Sequence, residues 1–340
     1  MRGQTKNKDT AKQAFGIIEK KQMEQHETLS LTAGLKTDFD TVRQVYLVYP
    51  EDVQEGRWNY SHLTDFYKQL IKAIPEEIEV VLLVKSRELV SALRVMELRE
   101  QIRYVVHSEL ESIWLRDYAG FNMGTHLVKP VFSPKRIGDN MKLLHSLMDV
   151  DLMPLDLVWD GGNLVTNGQY GFISTKIQEY NKKKSPEQIM QLVQDALQIK
   201  LQWVELPEVD TLAHTDGYMT FISPTQALVS TYPAEWAGSD DQKCVDALAQ
   251  QLLDLGLKVE RVHDTPNAVS NKKPVDSAVG IYVNLLQLNG TWLVPTYGRP
   301  GEDETLEQLK RLNSNGDVVS IECTKLAEMG GVLHCISFCN

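Results

Sequence analysis

One order of elements keeps returning along this chain, and it limits the folds open to it. "GGNLVTNGQYGFIST" (161–175) reads as two short strands around Asn167-Gly168, an Asn-Gly pair supplying the positive φ angles that a tight hairpin demands. "SPEQIMQLVQDALQI" follows as a helix, with Ser185 as N-cap, Pro186 at the first helical position and Gln188 completing a capping box. Ile189, Leu192, Val193 and Ala196 form its apolar face. "LQWVEL" is then a strand. The order returns in "DGYMTFISPTQALVSTYP", "SDDQKCVDALAQQLLDLG" and "LKVERV", where Val245, Leu248, Leu252 and Leu255 line the helix. It returns again in "IYVNLLQLNGTWLVPTYG", hinged on Asn289-Gly290, then "DETLEQLKRL" and "DVVSIEC". A looser copy runs from "GFNMGTHLVKPVF" through a helix at "IGDNMKLLHSLMDV" to "LMPLDLV". The N-terminal part offers "QVYLVYP", a helix around Phe66, Leu70 and Ile74, "EVVLLV", a helix near 86–100, and "IRYVVHS". The chain thus divides into about five ββαβ units of roughly 60 residues, a period typical of circular or stacked arrays. The competing reading is an ordinary α+β sheet with chance likeness between hairpins.

Carboxylates sit at matching places in this rhythm. Asp117 ("LRDYAGFNM"), Asp160 ("WDGGNLV") and Asp216 ("HTDGYMTF") each precede the first strand of a unit, and a glycine follows each within three residues. If the units surround an axis, the three acids converge on one pocket. His214 stands two residues before Asp216, on the same side if the chain is extended there. Clustered carboxylates repel and are costly to bury alone, so the pocket calls for a cation: a hard metal or a guanidinium, whose five N–H donors match carboxylates two at a time.

Four cysteines are present, at 244, 323, 335 and 339, with no CxxC pair, so neither a zinc ribbon nor a disulfide framework is expected. Cys323 and Cys244 read as strand and helix packing, and Cys339 as a redox partner of Cys335 or part of a frayed terminus. Cys335 follows "GGVLH", read as a strand, which turns its neighbour His334 to the opposite face and leaves His214 as the better proton-transfer partner. A nearby cation lowers a thiol pKa, and a bound guanidinium would be such a cation. Taken singly, an Asp before a hairpin is a turn residue and a buried Cys a small apolar one; it is their joint register that points to chemistry.

The net charge of -11 argues against nucleic acid, which calls for a basic face. No apolar run approaches the ~20 residues of a membrane span, and the polar start "MRGQTKNKDTAKQAFGIIEKKQMEQHE" lacks the apolar stretch of a signal peptide. A cytoplasmic protein is expected, with residues 1–35 a flexible or helical extension and 36–340 a single catalytic domain.

"IWLRDYAG", "WDGGNLV", "HTDGYM" and "GGVLHC" resemble, in order, the four signatures of the agmatine deiminase and bacterial-type (Porphyromonas-type) peptidylarginine deiminase family, from about residue 40 onward. The resemblance implies a five-unit pseudo-symmetric α/β propeller, the pentein fold of the guanidino-group-modifying enzymes. It implies that Cys335 is the nucleophile, that His214 is the general acid and base, and that Asp117 and Asp216 hold the guanidinium, with Asp160 the third acid. Asn284, Trp114 and Gly331 are further candidates for lining the pocket. No metal or organic cofactor is implied. The expected partner is a small cationic guanidino substrate, with room for a homodimer and no nucleic acid or membrane. The expected reaction converts agmatine or a similar compound to a ureido product and ammonia. Peptidyl-arginine is the alternative, since Asp160 stands where agmatine deiminases carry Glu and "RDYAG" lacks their Gly-Pro. An amidinotransferase, a non-catalytic propeller that only binds, and a Cys–His peptide or ester hydrolase are further alternatives.

Overall fold

The hairpin–helix–strand order takes physical form in a computed structural model of the chain, which describes residues 34–51, 53–55, 58–132, 146–207, 210–266 and 277–340. Strands Leu164–Thr166 and Tyr170–Ser174 pair antiparallel, helix Pro186–Leu197 crosses over, and Lys200–Val204 returns parallel to the second strand. The same three-stranded sheet is built by Met219–Ser223, Gln226–Thr231 and Lys258–His263, joined through helix Asp240–Asp254. It is built again by Leu286–Leu288, Thr291–Thr296 and Asp317–Glu322, through helix Glu302–Leu312. Phe121–Asn122, His126–Val131 and Asp151–Val158 make a fourth copy. The helix expected at 137–150 in that copy falls largely on 133–145, outside the described residues, as does nearly all of the N-terminal extension, residues 1–33. Residues Gly34–Asn340 cluster into one compact unit of mixed α/β structure.

The fifth sheet differs from its expected form. The segment beginning at Gln44 has no hairpin partner of its own next to it in sequence. Instead Ser337–Cys339 pairs antiparallel with Gln44–Val48, which runs parallel to Glu79–Val84 and that in turn to Ile102–Val106. The unit is therefore shared between two distant stretches of chain. Arg43 and Gln44 N–H groups both donate to the Asn340 carbonyl, so the segment around Cys339 is a paired strand rather than a frayed end. Val45–Val48 and Val80–Val84 are buried throughout, as expected of parallel strands covered on both faces.

Local chemistry accounts for most elements. Ser185 and Gln188 make the capping box, with Pro186 at the start of the helix, and Ser239 and Ser86 each accept a backbone N–H three residues on. Asn289 and Gly290 both adopt positive φ, 50° and 92°, as a two-residue hairpin turn requires. Asn167-Gly168 does not follow suit. Only Gly168 has positive φ, and Asn167 instead accepts the N–H groups of Gln169 and Tyr170 through Oδ1 while donating to the Pro224 carbonyl. Its side chain replaces a left-handed backbone.

The helix Thr64–Ala73 ends on an unusual cap. The Arg99 guanidinium donates to the carbonyls of Ile74, Pro75 and Ile78 at 2.9, 2.9 and 3.0 Å, and to Ile71 at 3.5 Å. Arg99→Ala strips donors from carbonyls that are partly shielded from water, and a loss of about 1–3 kcal/mol in urea-unfolding free energy is expected. Arg99→Lys recovers only part of it, because an ammonium cannot span four acceptors in a fork.

Candidate active site

The site is assembled from the short stretch that precedes the first strand of each unit. Asp117 lies in the helical turn Leu115–Ala119, before Phe121–Asn122. Asp160 caps the turn Gly161–Asn163, before Leu164–Thr166. His214 caps the turn Thr215–Gly217, which contains Asp216 and precedes Met219–Ser223. Asn284 comes two residues before Leu286–Leu288, and Cys335 two residues before Ser337–Cys339. Equivalent places in five sheets thus supply the polar residues. His214 itself is extended, but Thr215–Gly217 after it is a helical turn, so the chain does not run extended from His214 to Asp216 as expected. Ala213, just before it, is held at φ 47° by Asp210, whose Oδ1 accepts from Leu212 and Ala213 at 2.9 Å each, and by Asn163, which donates to the Ala213 carbonyl. A left-handed non-glycine residue next to a functional histidine is strain that its neighbours must hold.

Buried side chains meet there. Asp117, Asp160, His214, Asp216, Asn284 and His334 are between 2% and 8% exposed. His214 Nδ1 is 3.6 Å from Asp117 Oδ1 and Nε2 is 3.5 Å from Asp160 Oδ2. The half-buried Cys335 Sγ lies 3.5 Å from Asn284 Oδ1 and 3.9 Å from Asp216 Oδ2. Asn284 ties the parts together, its Nδ2 donating to the Asp216 carbonyl and its Oδ1 accepting the His334 N–H. The glycines of the motifs are steric requirements. A Cβ on Gly161 would strike the Arg116 carbonyl; one on Gly331 would sit 2.6 Å from Trp114 Cζ3 and 3.1 Å from Sγ. Gly331 thereby lets the half-buried Trp114 ring, packed edge-on against Tyr60 at 6.4 Å, approach the thiol. A Cβ on Gly162 would sit 2.6 Å from His214 Nδ1 and 3.0 Å from Asp216 Oδ1. Gly162→Ala must therefore displace both, and is expected to lower kcat/KM by roughly a hundredfold with a smaller effect on thermal stability; steady-state kinetics beside a melting curve separates the two.

Electrostatics follow from this packing. Burial would lower the His214 pKa, but Asp117, Asp160 and Asp216 overcome it and raise it to about 9. Burial pushes the other way on Asp216, whose carboxyl is nevertheless held below its ordinary range by His334, His214 and Arg116. The Cys335 thiol is pushed well up, first by burial and then by Asp216 and Asp117. In the chain by itself it stays protonated, and a cation among the acids would release its proton. Cys339 is raised to about 12, mainly by burial, with Arg116 pulling it down and Asp38 pushing it up. All four cysteines are free thiols, and among the described residues no group of three or more His, Cys, Asp or Glu is set to hold a metal ion.

One expectation is overturned. "GGVLH" is not a strand: residues 333–336 form a turn, and the strand starts at Ser337. Strand alternation therefore does not send His334 away from Cys335. Its Nδ1 lies 2.7 Å from Asp216 Oδ2, the same oxygen that faces Sγ, and its Nε2 lies 3.1 Å from Asp38 Oδ1. Asp38 also pairs with Arg116 at 3.4 Å. Asp38, Arg116 and His334 thus belong to the site although reasoning from the sequence passed over them. The signals were adjacency alone: Arg116 beside Asp117 and His334 beside Cys335. Nothing in "KTDFD" marks Asp38.

Residues 35–339 match the family model for Porphyromonas-type peptidyl-arginine deiminase. The chain belongs to that family. Among its relatives in the family's neighbourhood is the agmatine deiminase of Pseudomonas putida, 23% identical, the match covering 86% of this chain and 91% of that protein. A cysteine-to-serine variant of C. jejuni agmatine deiminase, solved with substrate bound, superposes with a TM-score of 0.76 at 14% identity over 92% of this chain and 98% of that one. The agmatine deiminase of Enterococcus faecalis superposes with a TM-score of 0.74 at 19% identity, covering 91% and 95%. This member of the peptidyl-arginine deiminase family shares their fold. Among its described residues no helix is long and apolar enough to cross a membrane.

Proposed function

We propose that the protein is a hydrolase that deiminates the guanidino group of agmatine or a similar small compound. The observation that carries this reading is a thiol placed 3.9 Å from a buried carboxylate, in a pocket where Asp117 and Asp160 flank His214. With all groups ionised, Asp38, Asp117, Asp160 and Asp216 face Arg116, His214 and His334, which leaves one negative charge for a cation to neutralise. An acyl substrate would want oxyanion donors here, not carboxylates. We further propose that the five sheets close around this site as a five-unit α/β propeller spanning 36–340, and that the free thiols operate in the cytosol.

Asp117 and Asp216 hold the guanidinium nitrogens, and its positive charge lowers the Cys335 pKa so that the thiol gives its proton to solvent. The thiolate attacks the guanidinium carbon, forming a C–S bond. His214, protonated at neutral pH, delivers its proton to a departing amino group, and the C–N bond breaks to release ammonia. The amidino-thioether that remains is attacked by water, whose proton goes to the now neutral His214. Collapse breaks the C–S bond, the hydroxyl proton passes to the departing Cys335 thiolate, and the ureido product is left. Peptidyl-arginine is the second reading, favoured by Asp160 in place of a longer Glu. The deciding experiment measures ureido product from agmatine, free arginine and a blocked arginine peptide. Product from one of them selects the branch; none from any, with the protein folded, overturns the deiminase reading for all three.

A further inference from the structure

His334 spans two carboxylates. Nδ1 is 2.7 Å from Asp216 Oδ2 and Nε2 is 3.1 Å from Asp38 Oδ1. A neutral imidazole carries one N–H and one lone pair, so it would turn a lone pair on one of these acids; only the imidazolium, with two N–H donors, satisfies both. The turn at 333–336 aims the ring at Asp216, and the His334 backbone N–H is fixed on Asn284 Oδ1. Asp38 is held in turn by Arg116. Asp216 is left divided. Oδ2 is taken by His334, while Oδ1 is buried without a hydrogen-bond donor and lies against the space that Gly162 leaves open. A buried carboxylate oxygen without a donor is costly and accounts for itself if a substrate N–H is to be its partner.

We propose that His334, seated on Asp38, is a positioning residue for the reaction: it anchors one oxygen of Asp216 so that the other is presented to the guanidinium. The inference rests on the deiminase reading but adds residues to it. His334 touches neither thiol nor substrate carbon, and acts through Asp216, as an orienting group acts through the one that does the chemistry. The groups that face it are Asp38 and Asp216, with Arg116 near Asp38 and the Cys335 thiol adjoining. Burial and Arg116 work against its positive charge, and the two carboxylates sustain it.

Two isosteres separate its two bonds. In His334→Asn the amide N–H occupies the place of Nδ1, keeping the bond to Asp216 and losing Asp38. In His334→Gln the amide reaches to the place of Nε2 and does the reverse. Turnover is measured across pH. Independently of turnover, the rate of Cys335 alkylation by the cationic chloroacetamidine is compared with that by neutral chloroacetamide. His334→Asn is expected to lose less than about tenfold in kcat/KM, and His334→Gln roughly a hundredfold. In His334→Gln the acid limb of the pH profile should move upward, since Asp216 is no longer held ionised, and the preference for chloroacetamidine should collapse. Asp38→Asn should fall between. Equal losses in the Asn and Gln variants, matched by equal falls in Tm, would make His334 structural and overturn the proposal. So would an unmoved acid limb and alkylation preference in His334→Gln. A native protein without any preference for the cationic reagent sinks the deiminase reading instead; a preference without turnover of the guanidines tried leaves the alkylation ratio to decide the role of His334.

Discussion

Replacing Cys335 by alanine is expected to abolish ureido product, lowering turnover by about 10⁴-fold or more, and to leave the fold intact. In the proposed mechanism the thiol is the reacting atom, and its described neighbours offer no comparable nucleophile. Asp216 and Asn284, which face Sγ, are a carboxylate and an amide, and Cys339 is half-buried in a paired strand. Stability should change little, because the side chain is half-buried and its polar contacts are long. Product assay and thermal melting on the same sample check both halves. Appreciable residual turnover would remove Cys335 from the nucleophile's role.

His214→Gln is the second large effect, expected at about 10³-fold in kcat, because in the proposed mechanism the proton given to the leaving amine and the one taken from water both pass through this ring. The native enzyme carries a pH signature of the same residue. The folded-state pKa of about 9 lies above the ordinary 6.5. Its stabilising contribution is therefore fully present below pH 6.5 and is lost as pH rises through about 9, an effect of roughly 3 kcal/mol at most. Activity should fall over the same upper range as the proton donor is lost. Urea unfolding at pH 6 and pH 9.5, for the native protein and His214→Gln, tests the sign. A native protein no less stable at the higher pH, relative to the variant, would contradict the acid cage around His214.

How much of this was readable depends on whether the signal was local. The helix from Pro186 was legible because Ser185, Pro186 and Gln188 carry its start within four residues. Asp117, Asp160 and Asp216 were legible because their place three or four residues before the following hairpin is a property of sequence, and the fold turns that place into proximity. Asn284 and Cys335 stand two residues before their strands. What escaped was non-local or depended on backbone handedness. Pairing between Gln44–Val48 and Ser337–Cys339 has no local mark. Asn167 was misjudged because its side chain, not its φ angle, makes the turn. His334 was dismissed by strand alternation, which does not hold across a turn, and Asp38 was invisible because its partner stands far away in sequence.

The pairing of Gln44–Val48 with Ser337–Cys339 also fixes an order of events during synthesis. Until the later strand leaves the ribosome, the earlier one presents a bare backbone edge, the kind of surface that recruits other chains. The carboxylates at 117, 160 and 216 are made long before the thiol at 335, so a half-made chain lacks the proposed nucleophile. The strand that covers the edge begins two residues after Cys335. Protection from aggregation and the acquisition of reactivity therefore arrive in one step, and the slow, long-range closure that delays folding also keeps an unfinished chain chemically silent.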